Sequence, residues 1–581
     1  MSAEVFLGAG DEPGHRRLAG VGPMRAEPAE LVMRDLIDAL LQEDLVEFAG
    51  AYWCRMKVPT GWVSCRVRPG GALQRYRYAS GPVWYAGDGA QPRPISPEEL
   101  LLLACGEFPA ADDVAEDVRA AVSHTAVLLG QRDGLDLLPK AGELLVGERL
   151  AATRNRPFHP TARAASGWST AELTRYGPMR AEPLGLDWVA VRRDRLRFGQ
   201  GADSQRIPEL ILDPAAQRML GDLVAHTDEF LPMPVHPWQF DHVLPTQFAA
   251  ELADGAVVPL VRGLGRFHPT ASIRTLTTAP ETPRQVKLPL AVATLGATRL
   301  LPPRYLANAE RAQQSMRELI DRDAVLSRRV ALCDERIWCG WHDPADEFGN
   351  RPGQLAAQVR VYPELDGLAL PMAALAAHEW DVLAPVLSER FDAVRFFREL
   401  AGAFCELGFG FLRNGVLPEL HGQNVVVTLR GGTVDRFVLR DHDTLRLYPQ
   451  WMKAAGTRDP RYAIKPGAPQ SLHLDCAEAL VGYFQTLGCQ VNLYGIADAL
   501  CRHFGLDERV LWSELRAAVL DCLPPLPKAV ANVLRAQLLH APTWPSRSVL
   551  GPLLRQGRAG GVSMPAGTGS VPNPLSEKVL R

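Results

Sequence analysis

Lysine is scarce in this 581-residue chain, where seven residues (57, 140, 287, 453, 465, 528 and 578) stand against 56 arginines. A compact ammonium kept among so many planar guanidiniums marks its position for attention. Paired cysteines are missing as well. The ten cysteines are scattered with no CxxC and no short paired spacing. That excludes a zinc ribbon or a disulfide-dense scaffold and fits small buried hydrophobes in a reducing compartment. No uncharged apolar run approaches the roughly 18 residues of a membrane span. The first 20 residues carry Asp11, Glu12, Arg16 and Arg17 in place of a signal-peptide core. A soluble, cytoplasmic protein is expected. Excess charge of one sign is also lacking: 63 basic and 66 acidic residues leave a net −3. No whole-chain field therefore draws nucleic acid or an anionic membrane, and an anionic ligand must be met by local clusters.

What is present is ordinary globular material. Hydrophobic residues make up 47% and charged residues 22%, which rules out disorder as the dominant state. The length suits three to four domains or two large lobes. Apolar spacing predicts helices over 29–50, 97–108 and 111–130, with strands and hairpins over 51–86. Short strands are expected at 186–192, 257–261, 271–276 and 286–290, with helices at 214–226 and 305–321. A helix over 385–408 leads to strands at 416–420, 424–429 and 436–439, the last two joined by a Gly-Gly turn. Helices follow at 474–487, 494–504, 508–519 and 528–539. The last 25 residues, rich in Gly, Ser and Pro, read as a loose tail.

Four clusters carry chemistry. Prolines flank His159 in Arg156-Pro-Phe-His-Pro160, with Arg163 and Gly167 following, so a rigid loop presents the imidazole; a structural or solvated histidine is as good a reading. In Pro234-Val-His236-Pro-Trp238-Gln239 the bland reading is preferred, a buried loop whose histidine satisfies backbone carbonyls. In Thr270-Ala-Ser272-Ile-Arg274-Thr275, Ser272 and Arg274 project to one face if the segment is a strand. Lys287 lies on the next strand, followed by Thr294 and Arg299. A hydroxyl, two guanidiniums and an ammonium on one face make a cradle for a triphosphate or polycarboxylate. The alternative is a solvent-facing sheet, but Lys287 sits in an apolar run.

The fourth cluster is the sharpest. Glu419-Leu-His421-Gly-Gln423-Asn424 precedes the hairpin and Arg440-Asp441-His442-Asp443 follows it, so Asn424 and Asp441 share its open end. Carboxylates and an amide there suit Mg²⁺ completed by water and substrate phosphates. Kinases place His, Asn and a metal-binding Asp in a similar order.

Taken in this order, with VKLPL (286–290), TLGATR (294–299) and PNPL (572–575), the motifs resemble the IucA/IucC family, the NRPS-independent siderophore synthetases. The resemblance spans about 150–540. It implies an α+β cupped hand of thumb, fingers and palm, with a mixed, antiparallel-rich fingers sheet and a partly kinase-like palm. The expected divisions are 1–150 (thumb), 151–345 (fingers) and 346–581 (palm). It also implies ATP-dependent activation of a carboxylate, citrate or a citryl or succinyl derivative, as an acyl-adenylate that an amine or hydroxyl captures. Family members often dimerise, so a homodimer is expected.

Position by position, the resemblance assigns Ser272, Arg274, Lys287 and Arg299, with Thr294, to the ATP phosphates and activated carboxylate. His159 would sit over the phosphates, and Gln423 and Asn424 near the nucleotide. Glu419, Asn424 and Asp441 would bind Mg²⁺, and His421 would face the substrate; Lys287, Arg299 and His421 form the expected catalytic set. The first motif departs from the family's GHPxHPxxKxRxG. Asn155 and Arg156 replace Gly-His, Arg163 replaces Lys as a candidate substrate contact, and Ala165 replaces Arg. The rivals are a small-molecule kinase, which would release ADP, and a non-catalytic nucleotide or polycarboxylate binder.

Overall fold

The structure is a computed structural model describing residues 27–50, 52–224, 228–278, 284–467, 470–558 and 567–580. The leader expectation for the first 20 residues lies outside them. Burial alternates along Trp53–Val58 and Gly61–Pro69, turning Cys54, Met56, Val63 and Cys65 inward. Helices Pro28–Gln42, Pro97–Cys105 and Ala111–Arg132 supply the facing apolar side chains. Helix Leu550–Gln556, from the far end of the chain, adds Leu550, Leu553 and Leu554 to this same core.

An eight-stranded sheet occupies the middle of the chain. Its strand order is Leu196–Phe198, Asp334–Trp341, Ala356–Val361, Arg284–Lys287, Thr275–Thr277, Val257–Pro269, Leu184–Arg192 and Phe230–Val235. Every pairing in it is antiparallel, so the expected mixed character is absent from this sheet. The sheet also runs past residue 345, because Ala356–Val361 pairs on both sides within it. A second sheet joins Val330–Leu332, Thr433–Leu439, Val425–Arg430 and Leu368–Pro371, and its first pairing is parallel. One hydrophobic core extends from Ala72 to Leu575 across both sheets and the C-terminal helices.

Three expectations are corrected. Residues 271–274 form a turn, and the strand begins only at Thr275. The helix over 385–408 is two helices, Trp380–Leu387 and Ala393–Leu412. Pro385 lies in the first, and the Asp392 carboxylate caps the second by accepting from the N–H groups of Val394 and Arg395. The tail is docked where it is described. Gly567–Pro572 pairs with Thr543–Ser548, Asn573 and Leu575 are fully buried, and Arg516 donates to the Leu575 carbonyl at 2.7 Å. Among the described residues no helix is long and apolar enough to cross a membrane.

Candidate active site

The turn at 270–275 is tied shut by its ends: the Thr270 N–H and hydroxyl both donate to the Thr275 carbonyl, at 3.0 and 2.9 Å. Between them Ile273 takes φ +55°, a left-handed conformation that a β-branched residue rarely adopts. Ser272 and Arg274 thereby line one cavity of about 1080 Å³. The Ser272 hydroxyl is buried with no partner, and Arg274 donates to the Leu300 carbonyl at 2.5 Å. Strand pairing sets Lys287 opposite Thr275 on one side and Gln358 on the other. Lys287 is therefore 4% exposed in the middle of the large sheet.

The hairpin expectation holds. Val425 pairs with Leu439, and the Arg440 N–H donates to the Asn424 carbonyl at 3.1 Å. Asp441, at φ +64°, turns its carboxylate onto the Lys287 ammonium. The Asp441 and His442 N–H groups donate to buried Glu335, at 2.9 and 3.3 Å, and Glu335 in turn pairs with Arg360. Burial raises the Asp441 carboxyl, but Lys287, Arg360 and Arg274 together outweigh it and hold the group well below its ordinary value. Arg440 donates to the Gln423 carbonyl at 2.7 Å and pairs with buried Glu148, locking the two motifs together.

The loop before the hairpin is equally fixed. The Gln423 N–H donates to His421 Nδ1 at 3.2 Å, so a neutral ring carries its proton on Nε2, which lies 3.6 Å from Glu419. Burial raises the Glu419 carboxyl, yet His421, Arg446 and Arg547 prevail and keep it well below the usual range. Gly422 is required by close approach, because a Cβ there would meet the Ala373 nitrogen at 2.8 Å. Asn492, within the π-helical stretch Phe484–Leu493, donates to the Leu420 carbonyl at 3.1 Å. Such stretches often mark functional sites.

Arg299 reaches the same cavity from the short hairpin Leu290–Thr294 and Ala297–Arg299, donating to the Thr294 hydroxyl and, at 2.9 Å, to its carbonyl. Burial, with Arg274 and Arg156 nearby, pushes its guanidinium down to about 9. The PVHPWQ segment supports this hairpin: Gln239 accepts from the Ala291 N–H at 2.9 Å. His236 is buried, as the bland reading expects, but it caps a helix by accepting from the Trp238 N–H while its Nε2 has no partner, so it serves a backbone N–H and not a carbonyl. Trp238 itself is half-buried, with its indole N–H on Glu172 at 2.8 Å.

The cavity thus brings together Ser272, Arg274, Lys287, Thr294 and Arg299 with Glu419, His421, Gln423, Asn424 and Asp441. His159 borders a smaller void of about 60 Å³ that shares Arg156 and Arg547 with the large cavity, and burial with the charges of Arg156 and Arg299 holds its imidazole well below the ordinary value. Its Nδ1 accepts from the Thr161 N–H at 3.3 Å, and its Nε2 is buried without a partner. Arg163 borders the large cavity but directs its guanidinium to the Thr153 carbonyl (2.8 Å) and to Asp35 (3.6 Å). Sequence reasoning missed Arg547, Arg446 and Asp443 as cavity residues. Asp443 had a signal, its place in the RDHD motif; Arg547 had none.

The donor set suits a hard cation. Glu419, Asp441, Asp443 and the Asn424 amide border one space, and burial together with the charge of Asp441 raises the Asp443 carboxyl to about 7. Among the described residues no three His, Cys, Asp or Glu side chains are grouped to hold a metal by themselves. Substrate phosphates and water would complete the shell.

Comparison with known proteins fits this geometry. The model of the IucA/IucC family matches residues 147–377, and that of the ferric iron reductase FhuF-like transporter matches 396–560. Staphyloferrin B synthase of Staphylococcus aureus is 32% identical over 94% of this chain and 97% of its own length. The chain belongs to the IucA/IucC family. Aerobactin synthase of Escherichia coli, another relative, is 25% identical over 65% of this chain and 70% of its own. The fold is that of solved siderophore synthetases. The petrobactin biosynthesis protein AsbB of Bacillus anthracis superposes with TM-score 0.78 at 18% identity, covering 94% of this chain and 95% of that one. ATP-bound aerobactin synthetase IucA of Klebsiella pneumoniae superposes with TM-score 0.75 at 18% identity, covering 94% and 100%. As its relatives are, this member of the family is a siderophore synthetase that joins a carboxylate to an amine.

Proposed function

We propose that this synthetase adenylates a carboxylate, citrate or a citryl or succinyl derivative, at the expense of ATP and condenses it with an amine or hydroxyl. The observation that carries the reading is the meeting of two distant segments, the Ser272–Arg274 turn and the Asp441 hairpin, in one cavity, where Asp441 pairs with buried Lys287 and is held ionised by Arg274 as well. Ser272, Arg274, Lys287 and Arg299 hold the phosphates, and Thr294 fixes the Arg299 fork. His421 faces the acid, held in place by its contact with Glu419 and by the Gln423 N–H. Mg²⁺, held by Glu419, Asn424 and Asp441 with the phosphates, supplies charge neutralisation when bound. A carboxylate oxygen attacks the α-phosphorus, the bond to pyrophosphate breaks, and Lys287 with the arginines stabilises the departing charge. The amine nitrogen then attacks the acyl carbon, AMP leaves, and the ammonium proton passes to solvent or phosphate.

The same proposal divides the chain into a thumb over 1–150, fingers that extend through the strand ending at 361, and a palm beyond it. It includes a cytoplasmic location and a homodimer, which sedimentation would test. An AMP-release screen crossing citrate and succinylated hydroxamates with hydroxylated diamines and amino acids tests the activity. Acid-dependent AMP and pyrophosphate are expected, and His421→Ala or Arg299→Ala should abolish them with the fold intact. ADP as the product would favour a kinase, and ATP or citrate binding with no AMP from any pair would favour a non-catalytic member.

A further inference from the structure

Asp441 reaches the cavity through a left-handed backbone, φ +64° and ψ 72°, which costs energy for any residue but glycine and persists only where its surroundings fix it. One short segment does the fixing. The Cys333 N–H donates to the Leu439 carbonyl at 2.9 Å, and the Cys333 carbonyl meets His442 Nε2 at 3.0 Å. Alongside these ties Glu335 spreads its carboxylate over two successive amides. Its Oε1 accepts from the Asp441 N–H at 2.9 Å and its Oε2 from the His442 N–H at 3.3 Å. Successive N–H groups around a left-handed residue form a hollow that suits an anion, and here the chain fills it with its own side chain. Glu335 arrives there from a β-bulge: Asp334 pairs with Val361 and Ile337 with Val359, three steps on its strand against two on the partner. Bulges re-aim side chains in this way. The strand is anchored on both sides of the residue, because the Gln313 side-chain oxygen accepts from the Glu335 N–H at 2.9 Å and the Gln358 amide donates to the Glu335 carbonyl at 3.0 Å. Arg360 Nε donates to the same Oε1. Glu335 borders the cavity, yet both of its oxygens are engaged by protein donors, so what it does there it does through Asp441.

Resting on the metal–nucleotide site of the reading above, we propose that Glu335 is a positioning residue for magnesium-bound ATP: its grip on the Asp441 and His442 amides sets the turn that aims the Asp441 carboxylate at the cation. That carboxylate is joined at one oxygen to Lys287, and its other oxygen lies 4.0 Å from Arg360. A side chain held only by such contacts follows its cations; one whose backbone is clamped stays in the space it shares with Glu419 and Asn424. Glutamine at 335 keeps one acceptor oxygen and turns an amide N–H toward the other backbone N–H, donor against donor. One of the two grips is then lost.

The test uses the full chain as wild type, as Glu335→Gln, and as Glu335→Gln combined with Arg360→Met. Calorimetric titration with ATP, without acid or amine, is run in excess Mg²⁺ and again in EDTA, and the ratio of the two affinities is the metal's contribution. Glu335→Gln should cut that ratio at least about tenfold, the scale of one hydrogen bond to a charged group, with the affinity in EDTA within about threefold of wild type. The double variant removes the guanidinium that Glu335→Gln sets loose beside Asp441 and leaves no unpaired buried charge, so it carries the test where the single variant does not fold. Its ratio should also be low. A wild-type ratio in either folded variant overturns the proposal, as does an equal loss with and without metal, which is the signature of a general structural defect. A wild type whose ATP affinity ignores Mg²⁺ overturns it too. Metal-dependent ATP binding by a wild type that releases AMP with no acid and amine defeats the ligase reading and leaves the positioning role standing.

Discussion

Replacing Lys287 with methionine removes the buried ammonium from the cradle while keeping the apolar stem that packs in the sheet. Its partner Asp441 then keeps Arg360, 4.0 Å away, and the more distant Arg274. Breaking a fully buried ion pair by removing one partner costs about 3–5 kcal/mol. Asp441 is 29% exposed and retains a guanidinium, which places the loss near the lower end, about 3 kcal/mol. The effect on catalysis is separate. A cation that stabilises departing pyrophosphate acts in the transition state, and losing such a group lowers turnover by about 10²–10³. The two effects separate in a double-mutant cycle with Asp441→Asn. The double variant carries neither charge, so it should recover most of the stability lost in Lys287→Met. It should recover no acid-dependent pyrophosphate release, since both the cation and a metal ligand are gone. Double-variant turnover above that of Lys287→Met would refute the reasoning, because Lys287 would then be serving only to neutralise Asp441.

Two other perturbations test the frame. Asp498 joins Arg77 (3.0 Å), Arg154 (2.8 Å) and Arg502 (3.0 Å) between the N-terminal sheet and the His159 loop, so Asp498→Asn should destabilise by about 3–5 kcal/mol. Burial raises this carboxyl, but the three arginines hold it well below its ordinary value. Its contribution is therefore complete above the unfolded carboxyl value near about 3.9 and declines as pH falls further. Unfolding curves of wild type and variant should converge below about pH 4, and a gap constant down to pH 2 contradicts the assignment. Leu295, at φ +56° in the two-residue turn before Gly296, should stabilise the fold by about 1 kcal/mol when changed to glycine. A loss of stability in chemical denaturation would show that its side chain matters more than the strain.

The sequence reveals the cavity's chemistry better than its shape. Alternating strands and the Gly-Gly hairpin are local signals, so the open end holding Asn424 and Asp441 follows from pairing alone. The Ser272–Arg274 turn is different. Ile273 favours a strand by its β-branched side chain, and between Pro269 and Thr275 no glycine, proline or asparagine marks where the chain bends; the hydrogen bonds between Thr270 and Thr275 impose the turn. Both side chains still reach the cavity, through a left-handed residue in place of strand alternation. His159 shows the converse limit. Its flanking prolines predict a loop, and the loop is there, but no local pattern announces Phe158 at φ +64°, stacked on Tyr494 and under Arg77 and Arg154, beside the imidazole that borders the smaller void. Arg547 enters from a strand pair whose partner looks, in sequence, like a loose tail, so no local pattern places it beside Glu419.

Strained non-glycine residues also gather here. Asn155, Ile273, Leu295 and Asp441, all at positive φ, line the large cavity, and such conformations cost about 1–3 kcal/mol each. Surrounding contacts sustain that strain, which is the pattern of a site held ready for a ligand.

Isotope transfer reports on the bond that adenylation makes. With the substrate carboxylate labelled with ¹⁸O, the account predicts one labelled oxygen in the phosphate of released AMP and none in pyrophosphate. Label in inorganic phosphate, with ADP as the nucleotide product, would contradict it.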